Sequence, residues 1–141
     1  GPPMAVAPLD KVRQVVDYAL TEIPAEKLFL GVPVYGYDWP LPFREGVTRG
    51  ESVSPQEALA LARRHGAEIR YDETAQAPWF RYTAAGGREH EVWFEDARSS
   101  YAKFRLAAEK GLQGVGLWNL MRPAVQTYLV LHGGFEIEVM R

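Results

Sequence analysis

Aromatic and carboxylate side chains gather at two places in this sequence, and both suit the binding of sugars. One is the run Tyr35, Tyr37, Asp38, Trp39, which follows an apolar stretch. The other is Trp118, which closes the stretch GVGLW. An indole face can stack on the apolar face of a sugar ring, while tyrosine hydroxyls and a carboxylate can hydrogen-bond sugar hydroxyls or an N-acetyl group. Each group has a plainer alternative. Trp118 can be a buried core residue, and the Tyr35 to Trp39 run can be a turn whose aromatics cover a rim. Trp79 and Trp93 can line a glycan groove, or they can pair across a hairpin as its small core, which is the favoured reading for Trp93.

The other candidates carry less chemistry. Glu95 and Asp96 are adjacent carboxylates, but a glycosidase needs two carboxyls facing each other across a bond, about 5 to 9.5 Å apart. Neighbours at a strand–helix junction point differently, and Asp96 reads better as a helix N-cap. Glu136 and Glu138 share one face of the alternating stretch FEIEV, the pattern of a solvated edge strand. His65, His90 and His132 are far apart, and His90–Glu91 lacks the second histidine, four residues after the first, that a zinc-protease helix needs. No metal site and no cofactor is expected. GLQGVG precedes a strand and lacks the third glycine of a dinucleotide fingerprint, so it is no phosphate loop.

The elements that must position these residues alternate in type. Apolar positions at Leu9, Val12, Val15, Val16, Ala19 and Leu20 form one helical stripe, bounded by Pro8 and Pro24. Leu28 to Val34 is nearly continuous apolar sequence, as in a strand buried on both faces of a parallel sheet. WPLPFREGVTRGE reads as a loop. SPQEALALARRHG is a signed helix, with Ser54 as N-cap, Pro55 in the first turn, Glu57 completing a capping box and Gly66 at the end. Short strands are expected at Glu68 to Tyr71 and Trp79 to Thr83, then a hairpin turn at AAGGR and a return strand from Glu89 to Phe94. Asp96 opens a helix with Tyr101, Phe104, Ala107 and Ala108 on its inner face. GVGLW is a second buried strand. Pro123 opens a last helix that packs Val125, Tyr128, Leu129 and Leu131.

The bulk properties exclude several classes. The chain has 141 residues, 47% of them hydrophobic and 24% charged, enough to bury a core. A net charge of −2 suggests no nucleic-acid partner, and the absence of cysteine excludes disulfides and thiolate chemistry. No apolar run is long enough to span a bilayer, so no membrane partner is expected. GPPMAVAP has no basic and apolar regions of a signal peptide.

Taken in order, these stretches resemble glycoside hydrolase family 18, the chitinase-like hydrolases. KLFLGVPVYGYDW is similar to the family's seventh barrel strand, at Gly31, Pro33, Tyr35 and Gly36. Phe94, Glu95, Asp96, Ser99, Lys103, Gly111, Leu112, Gly114 and Trp118 resemble the end of the family's insertion subdomain and its eighth strand. YGYDWPLP, YDETAQAPWF and EVWFEDARSSYAKF together are similar to the spore-germination and cortex-lytic branch. The resemblance implies an α/β fold: an incomplete TIM barrel, comprising the seventh and eighth βα units, with a small α+β insertion. The segments would be residues 1–39 (barrel), 40–95 (insertion) and 96–141 (barrel). The family's Asp-x-x-Asp-x-Asp-x-Glu signature is not in this sequence, so no catalytic residue is assigned. A barrel of this type needs about 250 residues. The resemblance further implies that Trp118 floors the subsite beside the cleaved bond, that Tyr35, Tyr37, Asp38 and Trp39 contact sugar, and that Gln76 hydrogen-bonds it.

The implied parent is a retaining hydrolase of β-1,4 bonds beside N-acetylglucosamine, in chitin or spore-cortex peptidoglycan, placed in the spore, cell envelope or extracellular space. In that family the substrate's own N-acetyl group attacks the anomeric carbon. The alternative is a non-catalytic carbohydrate-binding or interaction module. A second copy of the chain is an expected partner, because two barrel strands without neighbours leave edges and apolar faces open.

Overall fold

A computed structural model describes residues 1–119 and 124–136. Pro123, and residues 137–139 of the expected edge strand with Glu138 among them, lie outside the described residues. Helix α1 (Leu9–Glu22) leads through a short 3-10 turn (Ala25–Lys27) into strand β1 (Phe29–Pro33). Strands β2 (Gly36–Pro40) and β3 (Glu51–Val53) follow, then α2 (Pro55–His65), β4 (Arg70–Asp72), β5 (Ala77–Thr83) and β6 (Glu89–Trp93). The chain ends with α3 (Ala97–Glu109), β7 (Gly114–Trp118) and α4 (Val125–Gly134).

These strands form two sheets. β1 and β7 pair in parallel, with Phe29 opposite Gly114, Gly31 opposite Gly116 and Pro33 opposite Trp118. The remaining five form an antiparallel sheet in the order β3-β2-β6-β5-β4. β2 was not anticipated: WPLP was read as loop, yet the strand runs through Trp39 and Pro40. The boundary expected at 39/40 therefore falls inside a strand of the antiparallel sheet. β2 tolerates Pro40 because that residue is the last of the strand.

Each sheet has its own core. α1, α3 and α4 pack on one face of the parallel pair, gathering Val16, Leu30, Val32, Phe104 and Ala107. α2 covers one face of the antiparallel sheet with Ala58 and Ala62, against Val53, Phe80, Val92 and Phe94. The signed ends of α2 are all present. The Ser54 hydroxyl accepts from the Glu57 amide, the Glu57 carboxylate accepts from the Ser54 amide, and Gly66 takes the left-handed conformation at φ 59°.

The burial differs from expectation at three places. β1 is covered on one face only: Phe29 is 57% exposed and Gly31 is open, because the parallel pair carries helices on one side alone. On α3 the inner face is rotated, leaving Tyr101 and Ala108 exposed and burying Ser99, Ser100, Lys103 and Leu106 beside Phe104 and Ala107. On α4, Val125 and Leu129 face outward, whereas Thr127 is buried and hydrogen-bonds Ser100 across α3 at 2.9 Å.

Candidate functional site

One face of the antiparallel sheet is a band of aromatic rings. Tyr37 lies opposite Trp93, Trp93 opposite Trp79, and Trp79 opposite Arg70, a single row across four strands. Cross-strand partners share a face, and the two-residue period of β2 adds Trp39 to it. The rings touch: Tyr35 meets Tyr37 edge-on at 5.7 Å, Tyr37 lies 5.4 Å from Trp39, and Trp79 stacks on Trp93 at 5.6 Å. The Arg70 guanidinium sits 5.7 Å over Trp79. Glu91 organises the next row, accepting the Trp93 indole N–H at 2.8 Å and the Arg81 guanidinium at 2.8 Å. Trp79 and Trp93 thus pair with one another across the hairpin and still remain half-exposed.

Glycines let the strands close on this face. A Cβ at Gly36 would stand 2.2 Å from the Trp93 carbonyl oxygen and 2.6 Å from the Phe94 Cα, so only glycine allows β2 this approach to β6. At Gly50, a Cβ would stand 2.8 Å from the Trp39 indole nitrogen, so the loop before β3 lies against Trp39 and buries it.

Asp38 does not join the aromatics. Strand alternation turns it to the opposite face, where it accepts from the Tyr82 hydroxyl at 2.6 Å and bonds His90 Nδ1 at 2.8 Å. Burial, and then the hydrogen bond to Asp38, push the Tyr82 hydroxyl far above its ordinary value. The sequence run Tyr35, Tyr37, Asp38, Trp39 is therefore split between two faces.

Trp118 lies at the C-terminal end of the parallel pair. Its carbonyl accepts from the Val34 amide at 2.8 Å, its peptide to Asn119 is cis, and its side chain is 66% exposed. It is no core tryptophan among the described residues. Tyr35 follows the neighbouring strand, so the two ends bring Trp118 and the Tyr35 end of the aromatic band to one edge. Burial, then Tyr37 and Glu95, raise the Tyr35 hydroxyl above its ordinary value.

Beneath this edge lies a group the residue-by-residue reading missed. Glu95 and Lys103 form a fully buried ion pair, Nζ to Oε2 at 3.0 Å. Burial raises the Glu95 carboxyl above its ordinary 4.5, with the Lys103 charge and the Ser99 hydroxyl pulling it back. Its Oε1 is buried without a hydrogen-bond partner among the described residues. The sequence signal was Lys103 itself, standing between the inward positions of α3. Asp96 is the N-cap, with its carboxylate accepting from the Ser99 amide and its own amide donating to the Ser99 hydroxyl, both at 2.8 Å.

Gln76 stands apart from the aromatic row, in a turn tied to the start of α1 through the Leu9 amide and the Ala75 carbonyl at 2.9 Å. It adopts φ 50°, accepts from the Tyr71 hydroxyl at 3.1 Å and donates to the Glu73 carbonyl at 2.7 Å. The Arg98 guanidinium covers the Tyr71 ring at 3.8 Å, and burial, followed by Asp96, pushes that hydroxyl up to about 12. Most of the Gln76 amide is engaged in holding this turn. Among the described residues, no three His, Asp or Glu side chains converge to hold a metal ion.

An exposed indole, a band of aromatic rings and two tyrosine hydroxyls at one sheet edge offer stacking and hydrogen bonding. Known proteins carry the same architecture. The chain is 52% identical over 137 residues to a cortical fragment-lytic enzyme of Bacillus subtilis (strain 168), covering 97% of this chain and 32% of that protein. The spore cortex-lytic enzyme SleL of Bacillus megaterium superposes with a TM-score of 0.95 at 48% identity, covering 98% of this chain and 32% of that one. A chitinase of Chromobacterium violaceum superposes at 0.85 with 36% identity, covering 94% of this chain and 40% of that one. The chain thus spans about a third of the length of the cortex-lytic relatives it matches. The sequence profile described as "Glycosyl hydrolases family 18" matches residues 5–122, and the chain belongs to that family.

Proposed function

We propose that this chain supplies one wall of the substrate cleft of a family 18 glycosidase, acting on β-1,4 bonds next to N-acetylglucosamine in spore-cortex peptidoglycan. The observation that carries this reading is the edge where Trp118 and Tyr35 leave adjacent parallel strands, beside the aromatic face of the antiparallel sheet. Catalytic sites of βα barrels lie at the C-terminal ends of their strands. On this reading β1 and β7 are the seventh and eighth strands of the barrel, and the antiparallel sheet with α2 is the insertion between them. The insertion then begins near Gly36, at the start of β2. Trp118 floors a sugar subsite, and Tyr35 and Tyr37 extend it along the sheet, with Trp39 buried under Gly50 as their support. Asp38 and Gln76 act from behind, holding the strands and the turn that shape the wall. Protonation of the leaving oxygen falls to an acid outside this chain. The names of the cortex-lytic relatives favour peptidoglycan over chitin.

A tryptophan-fluorescence titration of this chain with N-acetylglucosamine tetramer tests the reading. A saturable change, abolished in Trp118→Ala and retained in Trp93→Phe, is the expected result. A flat titration at millimolar sugar would sink the claim that this wall binds glycan by itself.

A further inference from the structure

The chain passes between the two sheets twice, and the two passages lie side by side. β1 runs through Val34 and Tyr35 into β2, and β6 runs through Phe94, Glu95 and Asp96 into α3. Antiparallel pairing sets Tyr37 opposite Trp93. The same register, carried two residues further, sets Tyr35 opposite Glu95. The backbones are still in close contact there, since a Cβ at Gly36 would stand 2.6 Å from the Phe94 Cα. Tyr35, whose ring meets Tyr37 edge-on, therefore stands at the cleft edge with Glu95 beneath it.

Glu95 has one oxygen to spare. The Lys103 ammonium donates to its Oε2 at 3.0 Å, and both side chains are fully buried. Its Oε1 is equally buried and has no hydrogen-bond partner among the described residues. A buried carboxylate oxygen without a donor is costly, so its surroundings have reason to supply one. Two tyrosine hydroxyls feel the Glu95 charge, those of Tyr35 and Tyr71. The Tyr71 hydroxyl is already committed, donating to Gln76 Oε1 at 3.1 Å. Tyr35 is half-buried and reaches solvent at the cleft edge. Polar groups that face one another beyond direct contact are commonly bridged by one water.

We propose that Glu95 is a positioning residue for Tyr35, acting through one bridging water. The Tyr35 hydroxyl donates to the water, and the water donates to Glu95 Oε1. The hydroxyl has a single proton, which this link uses, so its lone pairs face the cleft. Tyr35 then accepts and does not donate. The sugar group opposite it must be a donor, either a hydroxyl or the N–H of an N-acetyl group. Lys103 contributes by fixing Oε2, which sets the direction of Oε1. This deepens the cleft reading and rests on it for the presence of sugar at Tyr35. No covalent step is involved.

Titration of the chain with N-acetylglucosamine tetramer tests this with two variants of the buried pair. Glu95→Leu/Lys103→Met removes both charges and every acceptor. Glu95→Gln/Lys103→Met removes both charges but keeps a carbonyl oxygen at the site. Affinity should fall about fivefold in the leucine variant, as the loss of one hydrogen-bonded contact supplies, and stay within about twofold in the glutamine variant. Tyr35→Phe should cost about as much as the leucine variant, and combining the two should cost nothing more. Equal affinities of the two pair variants, or losses that add, overturn the positioning role and leave the cleft intact. A second readout needs neither sugar nor the leucine variant. Difluorotyrosine in place of Tyr35 brings that hydroxyl's titration near neutral pH, where ultraviolet absorbance follows it. Its midpoint should fall when Glu95→Gln/Lys103→Met removes the carboxylate charge, and the fall should persist in about 1 M salt. An unmoved midpoint overturns the proposal whatever the sugar does. A flat sugar titration with a midpoint that falls removes the cleft and upholds the link from Glu95 to Tyr35.

Discussion

At the scale of single residues, the most consequential pair is Glu95 with Lys103. Both side chains are fully buried, so removing one charge leaves the other stranded. Glu95→Gln strands an ammonium and should cost about 3–5 kcal/mol in chemical denaturation, whereas Glu95→Gln/Lys103→Met removes both charges and should recover most of it. Lys103→Met should be milder, because Glu95 can take up a proton. A carboxyl whose folded-state value exceeds its unfolded one binds its proton more tightly in the fold. It favours folding below the unfolded value of 4.5, and that contribution is lost as pH rises through the folded value. Lys103→Met should therefore lose stability more steeply than the unaltered chain as pH rises above 4.5. A parallel pH dependence of the two denaturation midpoints would refute this account of the pair.

At the scale of elements, the aromatic wall depends on how closely two strands approach. β2 and β6 bring Tyr37 against Trp93 only because Gly36 has no side chain. Gly36→Ala should force the strands apart, costing about 1–3 kcal/mol and disturbing both flanking tyrosines. Near-ultraviolet circular dichroism of the aromatic band should change with it, and an unchanged spectrum at unchanged stability would contradict the close approach. Helix α2 shows how much of an element can be read locally: Ser54, Pro55, Glu57 and Gly66 state both its ends, and the structure contains each feature. β2 was illegible by the same logic. Its last residues, Trp39 and Pro40, open a Trp–Pro–Leu–Pro run of loop composition, and β2 is a strand because β3 and β6 pair with it.

At the scale of the molecule, the parallel pair is the exposed part. Among the described residues each of its strands has one partner, and Phe29 and Trp118 stand on the face without helices, separated by the Gly31–Gly116 pair. Open edges and an apolar face drive association. This chain should self-associate with rising concentration in light scattering, and a strict monomer across the concentration range would refute it. Trp118→Ala should weaken that association if the same face buries it.

The sequence by itself determined the ends of α2, the cap at Asp96 and the family, because these rest on neighbouring residues or on motifs with fixed spacing. Tertiary structure decided which residues act together. Alternation along β2 turned Asp38 away from Tyr37 and Trp39 and handed it to Tyr82 and His90, contributed by β5 and β6. Packing against β1 and α4 rotated α3, exposing Tyr101 and burying Lys103 with Glu95. Long-range contacts of this kind leave no local periodicity, since each partner meets its own neighbours' pattern and only the fold brings the two patterns to one place.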